Sequence, residues 1–261
     1  MWGSFTSEWI KLRRRSMILW GFGAGLFFPL LATILTIERA SRYGPFDRGH
    51  LPIAALEQAN GLVHGVTDVS SLIGVVSLCV FAAAFSIEYS QGTLRNLLVR
   101  EPRRTQFLAG KFAALVVFVL VIVIVSIGIS VAVAFILAPG KGISTSAWTS
   151  GPGLNALFQS VFHAWLAAAF YGVFGAAFGI ILRSPAVAIP VAVLYFLVIE
   201  AIIVEAGIWS GGGNWLPDHL MRALAHGGNS DATYYHALVM LSIYSVVIAV
   251  AVAALFRRRD A

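Results

Sequence analysis

The stretch EYSQGTLRNLLVREPRRTQFLAGK, residues 88–111, is a charged interruption in an otherwise apolar chain. Seven of its 24 positions carry a charge, and five of these are basic. The 20 residues before it and the 27 residues after it are almost wholly apolar, and a helix needs about 20 such residues to cross a bilayer. This alternation predicts two membrane-spanning helices with a polar segment between them.

The whole chain has the same apolar character. Of its 261 residues, 59% are hydrophobic and only 11% are charged, whereas a soluble domain has about 25% charged residues. We therefore predict an all-α membrane protein that forms a single transmembrane domain over residues 1–261. Six apolar runs predict six transmembrane helices, at 17–37, 69–87, 110–137, 160–182, 186–206 and 236–256.

The distribution of lysine and arginine predicts how these helices are oriented, because cytosolic loops are enriched in basic residues. If both termini are cytosolic, five of the 18 basic residues lie outside, which leaves 13 inside. The five are Arg39, Arg42, Arg48, Lys141 and Arg222. We therefore expect the charged stretch in the cytosol of a multi-pass protein of the cell membrane. Since the basic residues cluster at the ends of apolar runs, they indicate membrane anchoring and not nucleic-acid binding.

The N-terminal residues 1–15 are expected to form an amphipathic helix. Trp2, Phe5, Trp9 and Leu12 follow one another at spacings of three, four and three, which places them on one helical face. Aromatic residues on one face with basic residues nearby favour a helix that lies in the membrane interface. The alternative is a disordered tail.

The cytosolic stretch predicts a second amphipathic helix. Leu94, Leu97 and Leu98 share a face, Thr93 can cap the start, and Pro102 ends the helix. These leucines require a surface to bury against, which is the end of the helix bundle, lipid or a partner protein.

A short helix is also predicted outside the membrane, in the loop at 207–235. In NWLPDHLMRALAHGG, residues 214–228, Pro217 suits the first helical position and Gly227 suits the left-handed residue that ends a helix. This helix is too short to span a bilayer. We expect it to dip back into the outer leaflet or to lie on it.

Two acidic residues, Glu200 and Glu205, lie toward the outer end of the fifth predicted span. Ionisable residues are costly inside a membrane and suggest function. One interpretation is a polar lining of the substrate route or an outer gate. The other is that Glu205 reaches interfacial water while Glu200 pairs within the bundle.

Small residues at helical spacing predict close helix packing, either within the subunit or across a dimer. They are Gly21 and Gly25 in the first span, and Ala168, Gly172, Gly175 and Gly179 in the fourth.

The segment FSIEYSQGTLRNLLVREPRRTQFLAGK, residues 85–111, resembles the cytosolic signature of type-2 ABC transporter permeases. The matching residues are Glu88, Gly92, Thr93, Leu94, Arg104, Gly110 and Lys111. LRSPAVAIPVAVLYFLVIEAII, at 182–203, is similar to the family's turn between spans four and five. WLPDHLMRAL, at 215–224, is similar to its segment before span six.

The resemblance implies the membrane subunit of an ATP-binding-cassette exporter for a hydrophobic or amphipathic substrate. The amphipathic stretch at 88–104 would be the coupling segment, which docks in a groove of a cytosolic ATPase. The coupling residues would be Glu88, Gly92, Thr93, Leu94, Arg95, Leu97, Leu98 and Arg100. A second permease chain, identical or different, would complete the translocation route.

ATP hydrolysis is expected in a separate subunit, present in two copies, and this chain is expected not to be an enzyme. The sequence has no G-x-x-x-x-G-K-[ST] motif, and its nearest approach, APGKGIS at 138–144, has the wrong spacing. No cofactor or metal site is expected, because the chain has one cysteine and six scattered histidines. The alternative function is a secondary carrier or a membrane anchor that works without an ATPase.

Overall fold

The computed structural model describes residues 2–13, 15–40, 52–90, 104–206, 208, 209, 211–230 and 232–258. These residues form helices and no named β-strand, so the all-α prediction is confirmed for the described part of the chain. The helices are Trp2–Leu12 (α1), Arg15–Glu38 (α2), Ile53–Leu56 (α3), Gly61–Ser90 (α4), Arg104–Leu137 (α5), Gly151–Leu182 (α6), Pro185–Glu205 (α7), Pro217–His226 (α8) and Tyr234–Arg258 (α9). Within α7, residues Tyr195–Ile199 form a π-helical turn.

Five helices in the described part of the chain are long and apolar enough to cross a membrane. The apolar stretches are Gly21–Glu38, Leu108–Lys141, Gly151–Leu182, Pro185–Glu205 and Tyr234–Val252. Helix α4 has 30 residues, but its apolar part, Leu72–Glu88, is shorter than a full span. The chain is therefore a multi-pass membrane protein, and a sixth span formed by α4 stays a prediction.

Helices α4 and α6 make the most extensive helix contact in the bundle. They run in the same direction, because Gly74 lies against Tyr171 while Gly179, further along α6, lies against Ala82, further along α4. Two parallel neighbours require α5, the long helix between them in sequence, to return in the opposite direction. This agrees with the predicted alternation of direction along the chain.

Glycines permit the close approach of α4 and α6. A Cβ atom at Gly175 would lie 2.3 Å from the backbone oxygen of Leu78. The same backbones are joined by the Ser77 hydroxyl, which donates to the Ala168 carbonyl at 2.7 Å. Small residues at such contacts let main chains approach within a membrane. The small residues of the fourth span were predicted to meet another helix, within the subunit or across a dimer, and Gly172, Gly175 and Gly179 meet α4 of the same chain.

Helices α2 and α5 meet in the same way. A Cβ atom at Gly25 would lie 2.5 Å from Ile122 Cγ2, and the Ser126 hydroxyl donates to the Gly25 carbonyl at 2.7 Å. The G-x-x-x-G of the first span therefore faces α5 of the same chain.

The short helix α8 is buried in the bundle. Its first residue is Pro217, and Gly227 ends it with a φ of 78°, as predicted. The side chains of Leu220, Met221 and Leu224 are fully buried, because α8 packs against α4, α6 and α9. Since both its leucine face and Met221 are covered by protein, α8 does not lie on the surface of the molecule.

The segment just before α8 contacts the first part of α9. The Trp215 carbonyl accepts a hydrogen bond of 2.9 Å from the hydroxyl of Tyr244. The Asn214 carbonyl lies 2.9 Å from Nε2 of His236. These contacts fasten the start of α8 to α9.

Candidate functional site

Four charged side chains form a group, here named the charged cluster: Glu8 and Lys11 of α1, Glu88 of α4 and Lys111 of α5. Three of them are buried, and the Lys11 side chain is 43% exposed. Lys111 Nζ lies 2.6 Å from Glu88 Oε1 and 3.4 Å from Glu8 Oε2. Lys11 Nζ lies 2.5 Å from Glu8 Oε1 and 3.3 Å from Glu88 Oε1. Each amine therefore contacts both carboxylates, and α1, α4 and α5 are joined at one point.

The charges of this cluster balance, which explains how it can be buried. Lys111 is 1% exposed, Glu8 is 4% exposed and Glu88 is 6% exposed. Removing such charges from water costs several kcal/mol per ion unless partners compensate it. Two carboxylates face two amines, and Lys111 Nζ also lies 5.3 Å from the centre of the Phe85 ring, which adds a cation–π contact.

The carboxylates of Glu8 and Glu88 also change the pKa of the Lys11 amine. Burial opposes its charge, but the hydrogen bond and charge of Glu8, together with Glu88, outweigh that effect and raise the pKa of Lys11 above its ordinary value. The protonated amine is therefore the form that the cluster stabilises.

Helix α1 reaches the cluster because its apolar face packs on the bundle. The rings of Phe5 and Trp9 are stacked with their centres 6.1 Å apart, and both pack against the core formed mainly by α4, α5 and α6. Leu12 is 3% exposed in that core. The structure thus contains the predicted helix, with Phe5, Trp9 and Leu12 on one face. That face contacts protein, and the side chain of Trp2 lies outside the described set.

The predicted coupling residues are placed only in part. Glu88 belongs to the charged cluster and lies three residues before position 91, where the described part of the chain is interrupted until residue 104. The other coupling residues, Gly92, Thr93, Leu94, Arg95, Leu97, Leu98 and Arg100, lie outside the described residues.

A second polar group, here named the α8 cluster, consists of Tyr171 of α6, Glu200 of α7, and Asp218 and Arg222 of α8. Arg222 lies at its edge with a side chain that is 42% exposed. Glu200 and Tyr171 are fully buried and Asp218 is 2% exposed. The backbone N–H of Asp218 donates to Glu200 Oε2 at 2.8 Å. The Tyr171 hydroxyl donates to Asp218 Oδ1, and Arg222 Nε lies 2.7 Å from Asp218 Oδ2. The cluster therefore fastens the start of α8 to α6 and α7.

The two acidic residues predicted in the fifth span are separated by the structure. Glu200 belongs to the α8 cluster and is buried inside the bundle, whereas Glu205 is exposed at the end of α7. This placement agrees with pairing of Glu200 within the bundle. It leaves a function of either residue in transport as a proposal.

Sequence reasoning missed most partners of these carboxylates. Glu8 and Lys11 are three residues apart, and Asp218 and Arg222 are four apart, so each pair shares a helical face. That spacing was the available signal. Contacts of Glu88 with α1, or of Tyr171 with α8, join distant parts of the chain and have no local signature. Among the described residues, no group of three or more potential metal ligands occurs.

The long apolar helices of the bundle define the class of the chain as a multi-pass membrane protein. Sequence comparison gives its family. Residues 4–204 match the ABC-2 family transporter protein model, which is most of the 261 residues. The chain belongs to the ABC-2 family of transporters, and the resemblance to type-2 ABC permeases is confirmed. A comparison with curated proteins finds no match. The family match includes Glu88 and Glu200 and ends before Asp218.

Proposed function

We propose that this chain is the permease subunit of an ATP-driven exporter in the cell membrane. Membership of the ABC-2 family supports the assignment of this chain as the membrane component of an ABC transporter. The substrate, the direction of transport and the coupling to an ATPase are our proposal. Six helices span the bilayer with both termini in the cytosol, and a second permease chain, identical or different, completes the route. Separate ABC ATPase subunits, in two copies, supply the energy. The apolar spans suit a hydrophobic or amphipathic substrate.

The observation that carries this proposal is the charged cluster. Glu88 is the first residue of the predicted coupling segment at 88–104, and Lys111 lies seven residues beyond its end, yet their side chains are 2.6 Å apart. A partner that closes on ATP moves the helices only if its contact point is fixed to them. The ion pairs fix both ends of the segment to each other and to α1. Force applied between residues 88 and 111 would therefore reach α1, α4 and α5 together.

The coupling contact itself is assigned to residues within 88–100. Leu94, Leu97 and Leu98 would bury apolar surface in a groove of the ATPase. Arg95 and Arg100 would set the register by charge complementarity. Glu88 would act as a positioning residue, since the charged cluster buries it.

We assign an outer gate to the C-terminal part of α7, where Glu200 contacts the start of α8. Glu200 holds the start of α8 through the Asp218 N–H, so separation of α7 from α8 would break that bond. Glu205, which is exposed, would line the wet side of this gate.

The test is a gentle detergent pull-down of the tagged chain from its native membrane, with mass spectrometry of the co-purified proteins. We expect a near-stoichiometric ABC ATPase that is lost in Leu97→Asp. The matched control is Leu154→Asp, because Leu154 is 48% exposed near the start of α6, at the opposite end of the bundle. It should retain the ATPase.

Recovery of the chain alone from several detergents would contradict the proposal and favour a carrier or an anchor without an ATPase. Loss of the ATPase in both variants would contradict the assignment of coupling to residues 88–100. Transport in membranes is the second readout: Leu97→Asp should abolish it at normal membrane levels. Charge reversal at Glu88 is a weaker test, because a third amine in the charged cluster would also impair folding.

A further inference from the structure

Glu200 is a fully buried acidic residue with an incomplete set of partners. Its Oε2 accepts the Asp218 N–H at 2.8 Å. Its Oε1 is buried and has no described hydrogen-bond partner within 3.5 Å, and the side-chain donor that interacts with this carboxyl is the Tyr195 hydroxyl of the same helix. In the same described set, no lysine or arginine nitrogen lies within 4.0 Å of the Glu200 carboxyl, the limit that the ion pairs elsewhere in the chain satisfy.

The nearest cation is already paired. Arg222 Nε lies 2.7 Å from Asp218 Oδ2, and the Tyr171 hydroxyl donates to the other oxygen of Asp218. The titratable groups that face Glu200 come from three further helices and from α7 itself. They are Tyr171 of α6, Tyr195 of α7, Asp218 and Arg222 of α8, and Tyr244 of α9.

The charges of the α8 cluster therefore do not balance. The α8 cluster has two carboxyl groups and one guanidinium, whereas the charged cluster has two carboxylates and two amines. An ionised Glu200 would be a second negative charge beside Asp218, inside the bundle and without a described cation of its own within 4.0 Å. Such an arrangement is strongly unfavourable, and a buried acid in this position takes up a proton instead.

We propose that Glu200 is a proton-binding site that fastens α8 to α7. With the proton bound to one carboxyl oxygen, the group is neutral and still accepts the Asp218 N–H through the other oxygen. When the O–H bond breaks and the proton passes to water, the carboxylate repels the Asp218 side chain, and this repulsion opposes the hydrogen bond that the Asp218 N–H donates to Glu200. The site is a property of the folded chain and does not depend on the transported substrate or on an ATPase.

The first test measures the melting temperature of the purified full-length chain in detergent from about pH 5 to about pH 9. The variants are Glu200→Gln, which mimics the neutral acid, and Glu205→Gln, which changes an exposed carboxyl on the same helix. Because the folded state holds a proton at Glu200 that the unfolded state has lost, stability falls as the pH rises. The wild type should lose roughly 3–5 °C per pH unit relative to Glu200→Gln over the pH range in which the folded chain holds this proton and the unfolded chain does not.

Glu205→Gln should follow the wild-type profile. Parallel profiles for the wild type and Glu200→Gln would overturn the proposal.

The second test is infrared spectroscopy, which detects the carbonyl stretch of a protonated carboxylic acid. The wild type should show this band at neutral pH, where exposed carboxyls are ionised. Glu205→Gln should retain it and Glu200→Gln should lose it. A wild-type spectrum without the band would overturn the proposal even if Glu200→Gln did not fold. A band that survives in Glu200→Gln and vanishes in Asp218→Asn would assign the proton to Asp218 and would also overturn it.

Discussion

Lys111 Nζ lies 2.6 Å from Glu88 Oε1, with the Lys111 side chain 2% exposed and the Glu88 side chain 8% exposed. This ion pair joins the end of α4 to the start of α5 across the predicted coupling segment. Glu8 and Lys11 connect the same pair to α1. The four side chains therefore hold the ends of three helices together through compensated charges.

Removing the lysine of this pair should be strongly destabilising. Lys111→Met removes the most deeply buried amine of the cluster, while Glu8 and Glu88 stay buried. Breaking a buried ion pair by removing one partner costs about 3–5 kcal/mol. We expect a clear fall in the melting temperature and in the yield of monodisperse protein in detergent.

The matched control is Lys141→Met. Lys141 Nζ lies 2.6 Å from Glu38 Oε2, but the two side chains are 34% and 51% exposed. Exposed pairs contribute about 0–1 kcal/mol, so this variant should unfold close to the wild type. Equal losses in Lys111→Met and Lys141→Met would show that burial of the charged cluster has no energetic consequence.

The close contact of α4 and α6 predicts a severe effect of one methyl group. In Gly175→Ala, the new Cβ would lie 2.3 Å from a backbone oxygen of α4, and the two helices must separate. Overpacking of this kind costs typically about 1–3 kcal/mol. Thermal unfolding in detergent measures the loss.

Gly128→Ala is the control for that substitution, because a Cβ atom at Gly128 of α5 would meet nothing within 4 Å. Alanine has the higher helix propensity, so this variant should be as stable as the wild type or slightly more stable. A loss in Gly128→Ala that equals the loss in Gly175→Ala would contradict the steric explanation.

The hydrogen bond from Tyr171 to Asp218 predicts an effect of removing a single oxygen. Tyr171→Phe retains the ring but leaves Asp218 Oδ1 without its hydroxyl donor inside the bundle. An unsatisfied buried acceptor costs about 1–3 kcal/mol. Tyr235→Phe, at a residue that is 77% exposed, should change stability by less than about 0.5 kcal/mol. Unchanged melting of Tyr171→Phe would argue against this contact.

Burial of α8 predicts that it contributes to the core. Leu224→Ala removes a fully buried side chain and should cost about 2–5 kcal/mol. Leu154→Ala, at a position that is 48% exposed, should cost much less. If α8 lay on the surface in the purified protein, the two variants would unfold alike.

Local patterns in the sequence account for much of the fold. Apolar runs of about 20 residues predict the helices of the bundle, and spacings of three and four predict α1. Pro217 predicts the start of α8, because its restricted backbone suits the first helical position. Gly227 predicts its end, because glycine permits the left-handed conformation. The small residues of α2 and α6 predict close helix contacts. Each of these patterns involves residues that are close together in the sequence, so each can be recognised without the structure.

The partners of the buried charges depend on tertiary structure. Glu88 and Lys11 are separated by 77 residues, and Tyr171 and Asp218 by 47. No spacing rule connects such positions, since helix packing and not local geometry brings them together. The sequence by itself determined a multi-pass, all-helical protein of the ABC-2 type, because apolar length and helical period are local properties. Only the tertiary structure decided that Glu8, Lys11, Glu88 and Lys111 share one site, that α8 is buried, and that Glu200 forms no ion pair with any lysine or arginine in the described part of the chain. Ion pairing and burial are properties of distance in space.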